Sequence, residues 1–169
     1  MRINRQENYF KERNRWLALS ENDFLKQCRI ENYQDSGKGG QKRNRKYSAV
    51  RLTHIPTEIT VTSSDYREQN INKLKAIEKL KIKIAMMLSG PNVDIPRNVI
   101  SIKSQDYPLW VAFILDELYK NDFEIVPVAK KLELSNSKLL KIIYRDKIIW
   151  DELNVNRKKL GKHPFGSPG

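Results

Sequence analysis

The chain has 169 residues, 32 of them Lys or Arg against 20 Asp or Glu, for a formal net charge of +12 and a pI near 9.8. That length accommodates one ordinary domain, or one of about 90 residues followed by a smaller helical one, and the charge favours a polyanionic partner, nucleic acid first. No apolar run approaches the roughly eighteen residues of a membrane span; the single cysteine, Cys28, leaves no disulfide framework or thiolate metal site; and two histidines 109 positions apart, His54 and His163, make a poor zinc or histidine-based catalytic set.

Residues 1–19 form an N-terminal segment that mixes Glu7 and Glu12 with its cations and has no apolar stretch of the secretory kind. A reducing interior, cytoplasmic or an organellar matrix, is the expected setting. Ser20 with Asp23 three residues on predicts a capped start for a short helix through Phe24 and Leu25. From Gln27 to Tyr33, Cys28, Ile30 and Asn32 alternate with Arg29, Glu31 and Tyr33, which predicts a strand.

That strand feeds Ser36-Gly37-Lys38-Gly39-Gly40-Gln41-Lys42-Arg43-Asn44-Arg45-Lys46, in which three glycines, one glutamine and five cations fall within eleven residues. Such a stretch cannot enter an apolar core without burying unpaired charge, so it is expected as an exposed, mobile loop facing a polyanion. Adjacent Gly39 and Gly40 let main-chain N–H groups approach a ligand closely, and Gln41 adds a neutral amide that both donates and accepts. With no general base in the loop, its chemistry would be the positioning of water and hydrogen bonding to developing charge. A P-loop is ruled out, because Gly40 is followed by Gln41 and Lys42 ahead of a strand.

Ser48–His54 and Glu58–Thr62 alternate, with Val50 and Leu52 on one face and Ala49, Arg51 and Thr53 on the other, and Ile55-Pro56-Thr57 joins them as a hairpin turn. Asp65 and Glu68 stand at capping-box spacing before a helix whose inward stripe reads Ile71, Leu74, Ile77, Leu80, Ile84 and Leu88. The opposite face of that helix, with Arg67, Lys73, Lys75, Lys79, Lys81 and Lys83, is expected to extend the cationic surface of the loop.

Gly90, Pro91, Asn92, Pro96 and Asn98 mark residues 89–105 as a linker holding at most a short strand around Val99–Ile102. Helices follow at Leu109–Tyr119, at Val126–Leu132, from an N-cap at Ser135 through Ile143, and at Asp146–Leu160 with Ile149, Trp150 and Leu153 turned inward. The tight turn Ala129 to Ser135 suggests a helix-turn-helix unit, for which a small packing bundle is the equal alternative. The organisation is therefore α+β: an N-terminal segment (1–19), a small sheet with a covering helix (20–88), a linker (89–105), an all-helical domain (106–160) and a flexible basic tail (161–169).

Ser36-Gly37-x-Gly39-Gly40-Gln41-x-x-Asn44, then Ser48-Ala49-Val50-Arg51-Leu52-Thr53-His54-x-Pro56-Thr57, then Arg67-x-Gln69-x-x-Asn72-Lys73 resemble, in order and spacing, the peptidyl-hydrolase domain of class I peptide chain release factors. The resemblance covers about residues 27 to 88. It implies that the loop enters the peptidyl-transferase centre of the ribosome, that Gln41 positions water while its backbone N–H stabilises the leaving 3′ oxygen, and that Gly39 and Gly40 permit the conformation. It also implies methylation of Gln41 by a glutamine methyltransferase. Loop support and ribosomal RNA contacts are expected of Lys38, Lys42, Arg43, Asn44, Arg45, Lys46, Arg51, Arg67, Gln69, Asn72 and Lys73, with Arg157, Lys158, Lys159 and Lys162 as a basic ending. Glu58 departs from the glycine usual in the hairpin turn of the family, and the loop is more basic than usual.

Only 35 residues precede Ser36, so codon-independent rescue of stalled ribosomes is expected rather than stop-codon reading. The protein would work as a monomer on ribosomal RNA and peptidyl-tRNA, with no cofactor, metal or membrane. Two other readings carry weight: a non-catalytic ribosome or RNA-binding factor docking through the loop and the helical domain, and a DNA regulator built on Val126 to Arg145.

Overall fold

The structure, a computed structural model, describes residues 12–33, 48–88 and 101–168. The loop expectations for residues 36–46, and most of the linker with its short strand around Val99, lie outside these residues. The chain divides into two compact units, Met1–Leu88 and Ser89–Gly169.

The first unit opens with a helix over residues 12–18 (α1) that sequence patterning did not flag. Its inward side carries Arg13, Trp16 and Leu17 at helical spacing. Helix α2 (Glu21–Leu25) follows, capped as expected: the Ser20 hydroxyl accepts from the Asp23 backbone N–H at 3.1 Å and donates to the Asp23 carboxylate at 2.7 Å. Three antiparallel strands, β1 (Cys28–Tyr33), β2 (Ala49–His54) and β3 (Ile59–Ser63), then form a sheet in sequence order. The register runs from Cys28 opposite His54 to Tyr33 opposite Ala49, and from Val50 opposite Ser63 to His54 opposite Ile59.

Helix α3 (Gln69–Met87) covers the sheet through Asn72, Ala76, Ile77, Leu80, Ile84 and Ala85. Its inward stripe is rotated from the one expected. Leu74 is 44% exposed, whereas Lys81 is 4% exposed, its Nζ donating to the carbonyls of Leu17 (3.2 Å) and Leu19 (2.5 Å) and lying 5.2 Å from the Phe24 ring centre. A buried ammonium is tolerated only with such partners, so Lys81 is a core residue and not part of an RNA-facing row. Lys75 and Lys79 pair with Glu78 (2.7 Å) and Asp65 (2.8 Å). The capping box expected of Asp65 and Glu68 does not form, since Glu68 occupies the N-cap without a side-chain hydrogen bond. Strand β1 departs too. It is an edge strand, largely exposed on both sides, with Ile30 39% exposed.

The second unit is helical: α4 (Tyr107–Lys120), α5 (Ile125–Lys131), α6 (Asn136–Tyr144) and α7 (Lys147–Lys159). Helix α4 is buried on nearly every side from Trp110 to Leu118, the pattern of a central helix. Helices α5 and α7 pack against it, and α6 packs between those two in contact order. The side chains of Ser135 and Asp146 cap α6 and α7, and the Tyr107 hydroxyl donates to the Asp146 carboxylate at 2.8 Å, joining the starts of α4 and α7. Burial works against the charge of Glu117, yet Lys131 at 2.8 Å and Lys120 at 3.3 Å hold its carboxyl below the usual range and tie α4 to α5.

The segment after α7, expected to be a flexible tail, is tied down. Asn154 exchanges two hydrogen bonds with the Phe165 backbone, and the Arg157 guanidinium lies 4.1 Å from the Phe165 ring centre. Arg157 is 9% exposed and donates to the carbonyls of His163 (2.9 Å) and Phe123 (2.7 Å). Lys162 donates to the Asp122 carbonyl (2.7 Å) and the Glu124 carboxylate (2.6 Å). Asp122 and Phe123 have φ of 48° and 57°, a conformation that disfavours side chains. The two cations thus staple a strained turn, and the buried Arg157 is a structural residue rather than the RNA contact expected of it. Lys158 and Lys159 remain exposed at the end of α7.

Candidate functional site

The segment with Gly39, Gly40 and Gln41 is the connection between β1 and β2, two strands paired along their whole length up to Tyr33 opposite Ala49. Lys38, Lys42, Arg43, Asn44, Arg45 and Lys46 belong to the same connection and lie outside the described residues. What the structure supplies is the base on which the connection stands.

That base is fixed on its exit side by Asn72, a fully buried residue in the first turn of α3. Its Nδ2 donates to the carbonyls of Ser48 and Tyr66, both at 2.8 Å, and its Oδ1 accepts from the Tyr66 backbone N–H at 3.0 Å. One amide therefore satisfies three main-chain groups and joins the residue leaving the loop to the turn leading into α3. An inward polar residue in step with Ala76 and Leu80 is the signal that identifies it. Of the two roles expected of Asn72, contact with RNA does not suit a side chain that is fully buried, and its bonds are to Ser48 and Tyr66 alone.

Because Asn72 draws Tyr66 to Ser48, the following residues Arg67 and Gln69 are placed beside the loop exit, both exposed, with Tyr66 itself 44% exposed. Lys73 is half-buried. Arg51 stands on the outer side of β2, 3.3 Å from the Glu31 carboxylate and 5.1 Å from the Tyr33 ring centre. Glu31 also lies 3.5 Å from Arg29. These exposed pairs orient Arg51 at little energetic gain. Tyr66, Glu31 and Tyr33 were not singled out by sequence; their only signal is adjacency to the glycine-rich connection in the register.

The far end of β2 is built differently. His54 is fully buried, its ring 4.8 Å from Trp16 edge-on and 5.3 Å from Phe24 in a stack, with Nδ1 2.9 Å from the Thr57 hydroxyl. Among the described residues Nε2 has no partner. Burial pushes the imidazole down to about 4, so it is neutral at physiological pH. Five positions of strand, roughly 17 Å, separate it from the loop stem, which makes it a core residue and not a general base. Cys28 is likewise unsuited to nucleophilic work: its Sγ donates to the Phe24 carbonyl at 3.3 Å, and burial pushes the thiol up to about 11. The stem therefore offers hydrogen bonds, cations and a presented backbone rather than acid–base chemistry of its own.

No helix among the described residues is long and apolar enough to cross a membrane. Residues 23–106 match the RF-1 domain family. Curated relatives include Peptide chain release factor 1 of Acholeplasma laidlawii, 52% identical over 74 residues, which are 40% of this chain and 21% of that protein. Proteins of the same name in Lactobacillus delbrueckii subsp. bulgaricus (44% over 69 residues; 41% and 19% covered) and Rickettsia canadensis (51% over 59; 35% and 17%) are similar. The chain spans about a fifth of the length of these relatives.

Proposed function

We propose, from the match of residues 23–106 to the RF-1 domain family and the similarity to peptide chain release factors, that the chain is a class I release-factor-type protein that binds the ribosome and promotes hydrolysis of the ester joining peptide to tRNA. The observation that carries this reading is the stem: the connection bearing Gly39, Gly40 and Gln41 starts and ends on directly paired strands and is pinned at its exit by the buried Asn72. A loop whose base is fixed can deliver a short tip to a reaction centre at low entropic cost, and placement of this kind contributes orders of magnitude to rate. Gln41 positions the attacking water and its N–H stabilises the leaving oxygen; Gly39 and Gly40 allow close approach. Arg51, Arg67 and Gln69, exposed around the base, meet ribosomal RNA together with the loop cations, and Lys158 and Lys159 are further contacts. Gln41 is also the proposed substrate of a glutamine methyltransferase.

Release is codon-independent in this reading and serves stalled ribosomes, with the protein acting as a monomer in the cytoplasm or an organellar matrix. What supports the absence of codon reading is that the matched domain is followed by a compact helical unit with exposed cations such as Lys158 and Lys159, which suit attachment to RNA irrespective of the codon.

The test is release of labelled peptide from stalled ribosomes by the wild type and by Gly40→Ala. A methyl group at Gly40 is expected to lower the release rate at least about a hundredfold, the scale of losing one oriented catalytic group, while ribosome binding persists. Equal release by the two proteins, or tight binding of wild type with no release, overturns the hydrolytic reading.

A further inference from the structure

Helix α6 and the turn before it play no part in the site above, yet the charge of α6 is all of one sign. Its residues run Asn136-Ser137-Lys138-Leu139-Leu140-Lys141-Ile142-Ile143-Tyr144, then Arg145 at the C-cap. Leu139 and Ile143 are fully buried, whereas Ser137, Lys138, Lys141, Tyr144 and Arg145 are exposed. At 100° per residue, Lys138, Lys141 and Arg145 fall within about 60° of one another, with Ser137 and Tyr144 alongside. The helix contains no carboxylate, and the nearest ones in sequence, Glu133 and Asp146, lie beyond its ends; Asp146 is engaged in capping α7 and accepting from Tyr107.

Five other cations of this unit are engaged internally, Lys120 and Lys131 on Glu117, Lys147 on Asp151, and Arg157 and Lys162 on the turn at 122–124, while Lys103, Lys130, Lys158 and Lys159 are exposed on other elements. Among the described residues Lys138, Lys141 and Arg145 have no such partner. A row of unpaired, aligned cations raises the local potential and is the footprint of a phosphate backbone. Tyr144 adds a π-face, 44% exposed, whose ring is set edge-on against Trp150 at 5.0 Å and whose hydroxyl accepts from Ser167 at 3.3 Å. The docked C-terminal segment therefore holds the ring in place, which lowers the ordering cost of stacking on it.

We infer that the exposed face of α6, with Lys138, Lys141 and Arg145 on phosphates and Tyr144 against a base or sugar, is a second RNA-docking surface, carried by the helical unit. It rests on the ribosome-directed reading above. It gives that unit a task, holding the protein on structured RNA while the loop of the first unit acts.

The experiment uses the full chain and a labelled RNA hairpin of arbitrary sequence, followed by fluorescence anisotropy across a salt series. Replacing Lys138, Lys141 and Arg145 together by Gln is expected to weaken binding roughly tenfold or more and to make the dependence of log affinity on log salt shallower by about two to three, one per lost phosphate contact. Tyr144→Ala is expected to weaken binding about fivefold with the salt slope unchanged. Lys26→Gln, which removes a cation already paired with Asp23 at 2.8 Å, is expected to bind as wild type. All three altered cations are exposed, so the melting temperature of the triple variant should match wild type and separates loss of binding from loss of fold. Identical affinity and slope for wild type and triple variant overturn the inference. Peptide release is scored separately: a wild type that binds the hairpin through α6 but frees no peptide keeps this surface and removes the hydrolytic reading, whereas release with α6-independent hairpin binding does the reverse.

Discussion

The two hairpins of the sheet share strand β2 and differ in how they turn the chain. Between β2 and β3 the reversal takes residues 55–58, with the His54 carbonyl accepting from the N–H groups of Thr57 (3.3 Å) and Glu58 (2.8 Å) and Glu58 forced to φ 56°. Between β1 and β2 the connection runs over residues 34–48, and its last residue is held from outside, by the Asn72 amide on the Ser48 carbonyl. The tight turn closes itself with local hydrogen bonds and accepts strain to do so. The end of the long connection is instead held by a side chain on a helix. Loop closure costs grow only slowly with length, so a protein can carry such a connection provided its ends are held.

The comparison is broken most severely at Asn72. Asn72→Ala should leave three part-buried main-chain groups without their partner and cost roughly 2–3 kcal/mol in urea unfolding, with peptide release falling further than ribosome binding. A variant as stable as wild type would mean that water replaces the amide and that the loop exit is not held by it.

The opposite end of β2 is sensitive to acid instead. His54 takes up a proton at about 4 in the folded chain against an ordinary value of 6.5, so the unfolded chain binds the proton first. Its stability contribution is complete above pH 6.5 and is lost as pH falls through the window toward 4, by roughly 3 kcal/mol in all. Urea midpoints measured at pH 7 and pH 5 should differ in that direction. An NMR titration placing the folded imidazole near its ordinary value would remove the effect.

The smallest expected change sharpens the contrast. Glu58→Gly relieves the left-handed strain of the tight turn and should stabilise the protein by about 1 kcal/mol, read as a higher melting temperature, without altering the salt dependence of RNA binding. A loss of stability would show that Glu58 makes a contribution beyond its backbone conformation.

Elements whose cause is local were legible in the sequence. Ser20 and Ser135 cap helices where their spacing indicates, and β2 with β3 follows from alternation. Features with a distant cause were not. Lys81 reads as a surface cation until the carbonyls of Leu17 and Leu19, more than sixty positions away, are brought to it. Arg157 and Lys162 look like a basic tail until the turn at Asp122 and Phe123 requires them. Helix α1 is specified by the sites it fills, with Arg13 donating to the Leu88 carbonyl at 2.6 Å. For the loop stem, the motif spacing named Asn72 and Arg51 together, and only the fold separates them, Asn72 buried on Ser48 and Tyr66 and Arg51 exposed on β2.

Helix α1 also bears on how this protein can be dissected. The family match begins at residue 23, and an excision made there would discard Trp16 from over the His54 ring, both carbonyls that hold the Lys81 ammonium, and the arginine that closes the end of α3. The minimal independently folding piece is thus longer at its N-terminal side than similarity to release factors delineates. Fragments for crystallisation or ribosome binding should retain the residues from α1 onward.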